Sequence, residues 1–271
     1  MKRLSTIKAP ALAGVVRERT VRAALAEIKN CYMDGAQMID LHLSCLADQS
    51  EEGIRAVIEG SPLPVLALNY QTAYDWSAVA YTEEEREALF LSAVRAGAAG
   101  VDMQGYTFDL PSKTGFVGED KYSFTKGNPK EIVTDEGVIA RQRALIDKVH
   151  SMGAEVLLSC HPGIPMKREQ VVELALFLEK REPDIIKIVS IANSEEDMLE
   201  ALHAMRDLKR EVKTPVSYHA GGKFGALTRV LCPALGGQIA FCVDRFSESS
   251  TLEQMDLRLA KSLIEGLGKL L

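Results

Sequence analysis

A lysine interrupts one of the most apolar segments of the sequence. Lys187 lies in the run DIIKIV, residues 184–189, and a lysine inside an apolar strand is costly unless it is paired or neutral. Ile186 and Ile188 suit the helix-facing side of a strand, so side-chain alternation points Lys187 to the opposite, inner side. A neutral lysine amine can attack a carbonyl carbon and form an imine. The alternative is a lysine on an outer face that extends to water.

Imine chemistry also needs a group that moves protons near the amine. Ser159 and His161 share one face at the end of the predicted strand that precedes the lysine strand. A histidine titrates near neutral pH and is the usual acid/base group. We therefore interpret Lys187 and His161 as an imine-forming lysine with its acid/base partner; a structural ion pair is the alternative that the pattern leaves open.

Eight apolar segments alternate with eight amphipathic ones along the chain. The predicted strands are 11–16, 38–43, 63–70, 100–104, 154–160, 184–190, 214–218 and 236–242. The predicted helices are about 19–34, 50–60, 83–96, 135–152, 167–181, 194–209, 224–231 and 252–269, the third opening with a Thr82/Glu85 capping box. Eightfold alternation favours a single-domain (β/α)8 TIM barrel over residues 1–271. The alternative, an open doubly wound sheet, is weakened because no G-x-G-x-x-G turn follows the first strand.

One connection does not fit this rhythm. Residues 105–133, after the fourth predicted strand, are rich in Gly, Pro, Lys and aromatic residues. Connections this long are usually functional or mobile, and this one leaves the strand end where barrel active sites lie. A lid or a partner contact and a solvated insertion are both compatible with the composition.

Composition restricts the partners that we expect. Thirty-two Lys+Arg against 38 Asp+Glu give a formal charge of −6, which argues against a nucleic-acid partner. The hydrophobic content of 46% argues against a disordered chain. We expect no membrane partner either, since no apolar run is long enough to span a bilayer and the N-terminus is no secretory signal. Five widely spaced cysteines predict reduced, buried thiols and a cytoplasmic protein.

The ordered motifs resemble those of the type I 3-dehydroquinate dehydratase family, whose members form an imine with their substrate. The match is densest over 154–254. VLLSCH (156–161) resembles the family strand that ends in its acid/base histidine, and DIIKI (184–188) the strand with its imine lysine. Gly222-Lys223-Phe224-Gly225 with Thr228-Arg229 resembles the segment whose arginine binds the substrate carboxylate. Ser250 and Gln254 resemble the serine and glutamine of its closing loop.

The first half of the chain departs from that family pattern. Asp40 and His42 stand where the family has a glutamate and an arginine, and Tyr70 stands in place of an arginine. Gln104 replaces a glutamate that supports the histidine, and His219 and Gly221 replace two methionines. Since these family positions grip ring hydroxyls or tune the histidine, the resemblance implies an altered substrate.

The resulting prediction is a Schiff-base dehydratase, a carbon–oxygen lyase of the shikimate-pathway type, acting on a small keto-carboxylate without a cofactor or metal. Lys187 and His161 are the predicted catalytic residues. The predicted substrate-binding residues are Asp40, His42, Tyr70, Gln104, His219, Arg229, Ser250 and Gln254. An imine-forming aldolase and a non-catalytic carboxylate-binding barrel are the alternatives, and the resemblance implies a homodimer.

Overall fold

A computed structural model describes residues 3–69, 81–109, 133, 135–247, 250 and 254–270. Its strands are parallel and follow one another around a curled sheet. They are β1 (Ala11–Val16), β2 (Met38–His42), β3 (Val65–Leu68), β4 (Gly100–Gln104), β5 (Glu155–Cys160), β6 (Ile185–Ile191), β7 (Val216–Gly221), β8 (Ile239–Val243) and the short β9 (Met255–Asp256).

Hydrogen bonds close the sheet into a barrel. Ladder pairing runs from β7 through β6, β5, β4, β3, β2 and β1 to β8, and β9 pairs with the outer side of β8. At the seam, Gln238 N donates to Val216 O at 2.8 Å, and Ser217 Oγ donates to Ile239 O at 2.8 Å. The predicted (β/α)8 barrel is confirmed, and one ring of strand ends presents the residues that follow β1–β8.

Eight α-helices surround the barrel in the described part of the chain. They are α1 (Val21–Met33), α2 (Glu51–Glu59), α3 (Glu83–Arg95), α4 (Glu136–Ser151), α5 (Arg168–Glu179), α6 (Glu195–Glu211), α7 (Thr228–Ala234) and α8 (Leu257–Leu267). The Thr82/Glu85 capping box of α3 is present as predicted. None of the helices in these ranges has the length and apolar character that a bilayer span needs.

The N-terminal segment closes the floor of the barrel. Leu4, 1% exposed, packs with the inward side chains of the strands. Ser5 donates from its backbone N to Glu155 at 3.0 Å, and Gln238 Nε2 donates to Ile7 O at 3.0 Å. A Cβ at Gly100 would lie 2.7 Å from Glu155 O and 2.9 Å from Leu4 Cδ1, so the glycine leaves room for both the neighbouring strand and the Leu4 side chain. The apolar floor leaves the opposite end as the entrance.

The structure confirms some predicted boundaries and corrects others. β4 has the predicted bounds, whereas β7 extends three residues past its predicted end, to Gly221. The last helix does not begin at 252, because residues 255–256 pair with β8 as a strand before α8 starts at Leu257. Of the segment 105–133, only 105–109 and 133 are described. All five cysteines are buried free thiols, as predicted.

Leu4→Ala should lower the free energy of unfolding by about 2–4 kcal/mol, because it empties the packed floor of the barrel. Leu199→Ala, on α6 with 50% of the leucine exposed, is the matched control and should change it by less than about 0.5 kcal/mol. Urea titration of both variants measures the difference. Equal losses would contradict the role of Leu4 as the floor.

Candidate active site

The Lys187 amine lies inside the barrel. Ile186 and Ile188 pack in the layer between strands and helices, whereas Ile185 belongs to the inner cluster. Lys187 is 6% exposed, and its Nζ lies 3.3 Å from Asp102 Oδ2 and 4.4 Å from the centroid of the Phe241 ring. The inward orientation predicted from the isoleucines is confirmed. The ion pair with Asp102 shows that the amine also has the structural partner that the sequence left open.

Small side chains flank the lysine on its own level. Ser159 of β5 and Ser217 of β7 are its register partners. The Ser217 hydroxyl is used by the barrel seam, whereas Ser159 Oγ is buried and has no hydrogen-bond partner within the described structure. The two serines leave space around a long side chain, and Ser159 Oγ is one polar atom available to a bound molecule.

Asp102 is held by a buried network that reaches α3. Gln104 Nε2 donates to Asp102 O at 2.8 Å and lies 3.4 Å from Asp102 Oδ1, and Arg86 donates to Gln104 Oε1. Arg86 Nη1 in turn donates to both carboxylate oxygens of Glu83, each at 3.0 Å, and Arg86 Nε donates to Asn69 O. All four side chains of the network are fully buried. The amide of Gln104 therefore binds the protein itself at both ends.

A second cluster of polar side chains comes from β2 and the end of β1. Asp40 and His42 are both 2% exposed, with His42 Nε2 lying 3.7 Å from Asp40 Oδ2 and 3.4 Å from Arg17 Nε. Burial raises the pKa of Asp40, but the adjacent His42 and the charges of Lys187 and Arg17 outweigh it and hold that pKa below its usual value. Asp40 Oδ1 is buried and makes no hydrogen bond to a described residue.

Two histidines lie beyond the lysine toward the barrel mouth. His219 pairs in register with Val189, two residues past Lys187, and His161 follows Cys160, whose partner is Ile188. Both imidazoles are buried. Burial, reinforced by the neighbouring Arg229, Lys187 and His161, holds the pKa of His219 well below 6.5. His219 is thus a neutral imidazole at pH 7, suited to accept a proton or a hydrogen bond.

The last two βα units carry the predicted carboxylate-binding residues, and neither Arg229 nor Gln254 lines the cavity in which Ser250 lies. Arg229 occupies the first turn of α7 and is close enough to lower the pKa of His219. Ser250 lines a cavity of about 290 Å³ together with Arg17 and Arg245. Gln254 is buried immediately before β9, whose Met255 pairs with Cys242 next to Phe241.

Tyr70 lies outside the described residues, as do 110–132 of the long connection. Residues 105–109 are packed rather than solvated: Gln142 Nε2 donates to both Gly105 O and Thr107 O at 2.8 Å, and Tyr106 is fully buried. Among the described residues, no group of three or more His, Cys, Asp or Glu side chains is arranged to hold a metal ion.

Sequence analysis missed three charged residues of this site, although each carried a signal. Arg17 follows β1 on the same face as Val15, which marks it as an inward residue at a strand end. Glu83 and Arg86 lie three residues apart, and Phe90 continues the same helical face toward the core. Charged residues at a helix start usually face solvent, yet the position of these two on that face predicts burial.

The depressed pKa of His219 predicts an acid-sensitive contribution to stability. An unfolded histidine titrates near 6.5, so the contribution is complete above that pH and is lost as the pH falls below it toward the folded pKa. Between pH 7.5 and 5.5, the wild type should lose about 1 kcal/mol more unfolding free energy than His219→Gln. Urea titrations at both pH values measure this, with exposed His203→Gln as the control that keeps the wild-type loss. An identical loss in His219→Gln would contradict a buried, neutral imidazole.

Comparison with known sequences places these residues in a family context. The family model for type I 3-dehydroquinase matches residues 129–270, just over half of the chain. A 3-dehydroquinate dehydratase of Alkaliphilus oremlandii is 30% identical over 129 residues, or 46% of this chain and 49% of that protein. The aligned chain thus spans about half the length of that relative. A 3-dehydroquinate dehydratase of Methanobrevibacter smithii is 20% identical over 238 residues, which cover 87% of this chain and 86% of that protein.

Solved structures show the same fold. The chain superimposes on 3-dehydroquinate dehydratase from Geobacillus kaustophilus with a TM-score of 0.76 at 16% identity, covering 99% and 96% of the two chains. The type I enzyme from Clostridium difficile, solved with covalently modified comenic acid, gives a TM-score of 0.76 at 13% identity over 100% and 98%. The family model matches more than half of the chain, and the solved structures show the fold. This chain is a divergent member of the type I 3-dehydroquinase family.

Proposed function

We propose that the chain is an imine-forming dehydratase acting on a cyclic keto acid related to 3-dehydroquinate. The observation that carries this proposal is the Lys187 amine, which is buried inside the barrel beside Asp102 and below His161 and His219. No bound cofactor is needed, because the lysine itself supplies the covalent chemistry.

The first half of the proposed reaction uses the amine as a nucleophile. Neutral Lys187 Nζ attacks the keto carbon of the substrate, and the former carbonyl oxygen leaves as water after proton transfer, which gives an iminium ion. The Asp102 carboxyl group, 3.3 Å from Nζ, is placed to exchange a proton with the amine. The iminium then withdraws electrons from the neighbouring carbon and makes its C–H bond acidic.

The second half needs a base and then an acid. His161 removes the proton from the carbon next to the iminium, and the resulting enamine expels the β-hydroxyl group, which leaves as water with a proton from the same imidazole. Water hydrolyses the conjugated iminium, releases the enone and restores Lys187. The water lost in forming the imine is returned at this step, so the net change is loss of one water molecule.

The substrate proposal follows from which polar groups are present. Arg229 provides donors for a carboxylate, and the family resemblance adds Ser250 and Gln254 to this role. Asp40 and His42 present a carboxylate and an imidazole instead of the arginine donors expected from the family resemblance. We propose a ligand that keeps a ketone and a carboxylate but differs from 3-dehydroquinate in its hydroxyl groups.

A C–C lyase is the second candidate, because Asp40 Oδ1 has no hydrogen-bond partner among described residues. A carboxylate near an iminium can remove the proton of a β-hydroxyl group instead of the C–H proton. The hydroxyl then becomes a carbonyl, the C–C bond breaks into the iminium, and the enamine is protonated on carbon and hydrolysed. Product analysis separates the two reactions, since dehydration keeps one carbon skeleton and cleavage gives two fragments.

The cytoplasmic location stays a prediction from the sequence, and the homodimer stays an implication of the family resemblance.

Lys187→Met should abolish covalent capture. Wild-type protein incubated with a panel of cyclic keto acids and borohydride should gain the mass of one ligand through a reduced imine on Lys187, detectable by intact-mass and peptide analysis. Lys223→Met, which removes an exposed lysine near the mouth, is the control and should be captured like the wild type. Absence of capture with every member, together with unchanged ligand affinity in Lys187→Met, would favour a carboxylate-binding barrel. Rapid turnover of 3-dehydroquinate would contradict the altered specificity.

His161→Gln should separate imine formation from proton transfer. The variant should still be captured by borohydride, whereas turnover should fall by about 10²–10⁴-fold, because a positioned general base contributes that much. Parallel assays of His219→Gln identify the base by comparison. A larger turnover loss in His219→Gln than in His161→Gln would overturn the assignment and make the neutral imidazole of His219 the base.

A further inference from the structure

We propose that Glu83 and Arg86 of α3 are positioning residues, which hold Asp102 against the Lys187 amine through the side chain of Gln104. This inference rests on the proposed function, since it concerns the same amine. Neither α3 residue contacts Lys187 itself. They act through two further side chains, and every link is a hydrogen bond between buried groups.

The chain of contacts begins where α3 starts. Glu83 accepts two bonds from Arg86 Nη1 at 3.0 Å and one from the backbone N of Phe108. Phe108 has φ of 68°, in the left-handed region that residues with a Cβ rarely adopt. Glu83 therefore fixes both the guanidinium and the start of the connection after β4.

Arg86 carries this order to the barrel. Its Nε donates to Asn69 O at 3.2 Å at the end of β3, and its Nη2 donates to Gln104 Oε1. The guanidinium carbon also lies 5.1 Å from the centroid of the Tyr106 ring. Because the guanidinium is bound on all these sides, it has a single orientation. Its planar group therefore fixes the orientation of the Gln104 side-chain amide.

Gln104 completes the link because a glutamine has a donor end and an acceptor end. Arg86 can only donate, so it selects the Oε1 end, and Gln104 Nε2 donates to the main-chain O of Asp102 at 2.8 Å and lies 3.4 Å from its Oδ1. Asp102 is thereby left with Oδ2 directed at Lys187 Nζ, 3.3 Å away. A glutamate at 104 would bind Arg86 equally well but would have no N–H for Asp102. The glutamine in place of the family's glutamate fits this network.

The charges of Glu83 and Arg86 should affect the protonation of the Lys187 amine, as should the charges of the other groups around it. The charged or titratable groups around Lys187 are Asp102 on β4, Asp40 and His42 on β2, Arg17 after β1, His161 after β5, His219 on β7 and Arg229 on α7. Glu83 and Arg86 cancel each other's charge in the wild type. Removing one member alone leaves a buried, uncompensated charge.

The test is the pH midpoint of borohydride capture, measured in Glu83→Gln, Arg86→Met and the double variant. Glu83→Gln leaves an unbalanced positive charge that draws Asp102 away from the amine, so the midpoint should fall by about 0.5–1 pH unit. Arg86→Met leaves a negative charge, so the midpoint should rise by a similar amount. The double variant restores neutrality but still lacks the Arg86 bond that orients Gln104, so its midpoint should stay at least about 0.3 units below that of the wild type. A return to the wild-type midpoint would leave only a charge effect and would overturn positioning through Gln104.

Glu155→Gln is the matched control, because Glu155 is a buried carboxyl group at the opposite, closed end of the barrel. It should reduce stability without moving the midpoint. Equal midpoints in the wild type and both α3 single variants, with losses of stability only, would assign Glu83 and Arg86 a purely structural role. Shifts of the same sign in both would also overturn the proposal.

A second readout keeps the test independent of turnover. The rate at which Lys187 reacts with acetic anhydride, followed by peptide mass analysis, gives a pH midpoint without any keto acid. If no keto acid is captured, the dehydratase proposal fails. Opposite shifts in acetylation would then still support the positioning network, whereas unshifted acetylation would refute it as well.

Discussion

An amine enclosed within a ring of strands and contacted by one carboxyl group sets the requirements that the rest of the structure meets. Lys187 sits in a strand whose other residues are apolar except Ser190, so its polar end has to find its partners inside. Asp102 supplies one partner, and Phe241 supplies a ring face on the other side. The flanking positions are serines, which give the side chain room to extend. Closure of the sheet brings these groups from β4, β6 and β8 together.

The two ends of the barrel have opposite characters, and this polarity defines where chemistry can occur. Leu4 and the inward apolar residues fill the amino-terminal end, which is sealed by bonds from the first residues to Glu155 and Gln238. The carboxy-terminal end collects the histidines, Asp40 and Arg229. In the proposed reaction, a substrate entering there meets Arg229 first and the amine last. Such an order orients a keto acid before it reacts.

Much of this arrangement could be predicted from local sequence because parallel barrels repeat a simple unit. The bounds of β4, the inward side of Lys187 and the capping box of α3 follow from alternation and capping rules. The roles of Glu83 and Arg86 could not be predicted, since charges at a helix start usually face water, and only tertiary packing buries them. The same holds for Gln104, whose amide orientation depends on Arg86, a partner 18 residues away. The strand at 255–256 was missed because two residues carry no periodicity.

The most direct test of the central claim is a crystal structure of the protein reduced by borohydride in the presence of a keto acid that it captures. The account predicts continuous density from Lys187 Nζ to the former keto carbon, the ligand carboxylate beside Arg229, and an imidazole of His161 within hydrogen-bonding reach of the adjacent carbon. Density that joins the ligand to another residue, or a ligand bound inside the barrel with Lys187 still unmodified against Asp102, would contradict it.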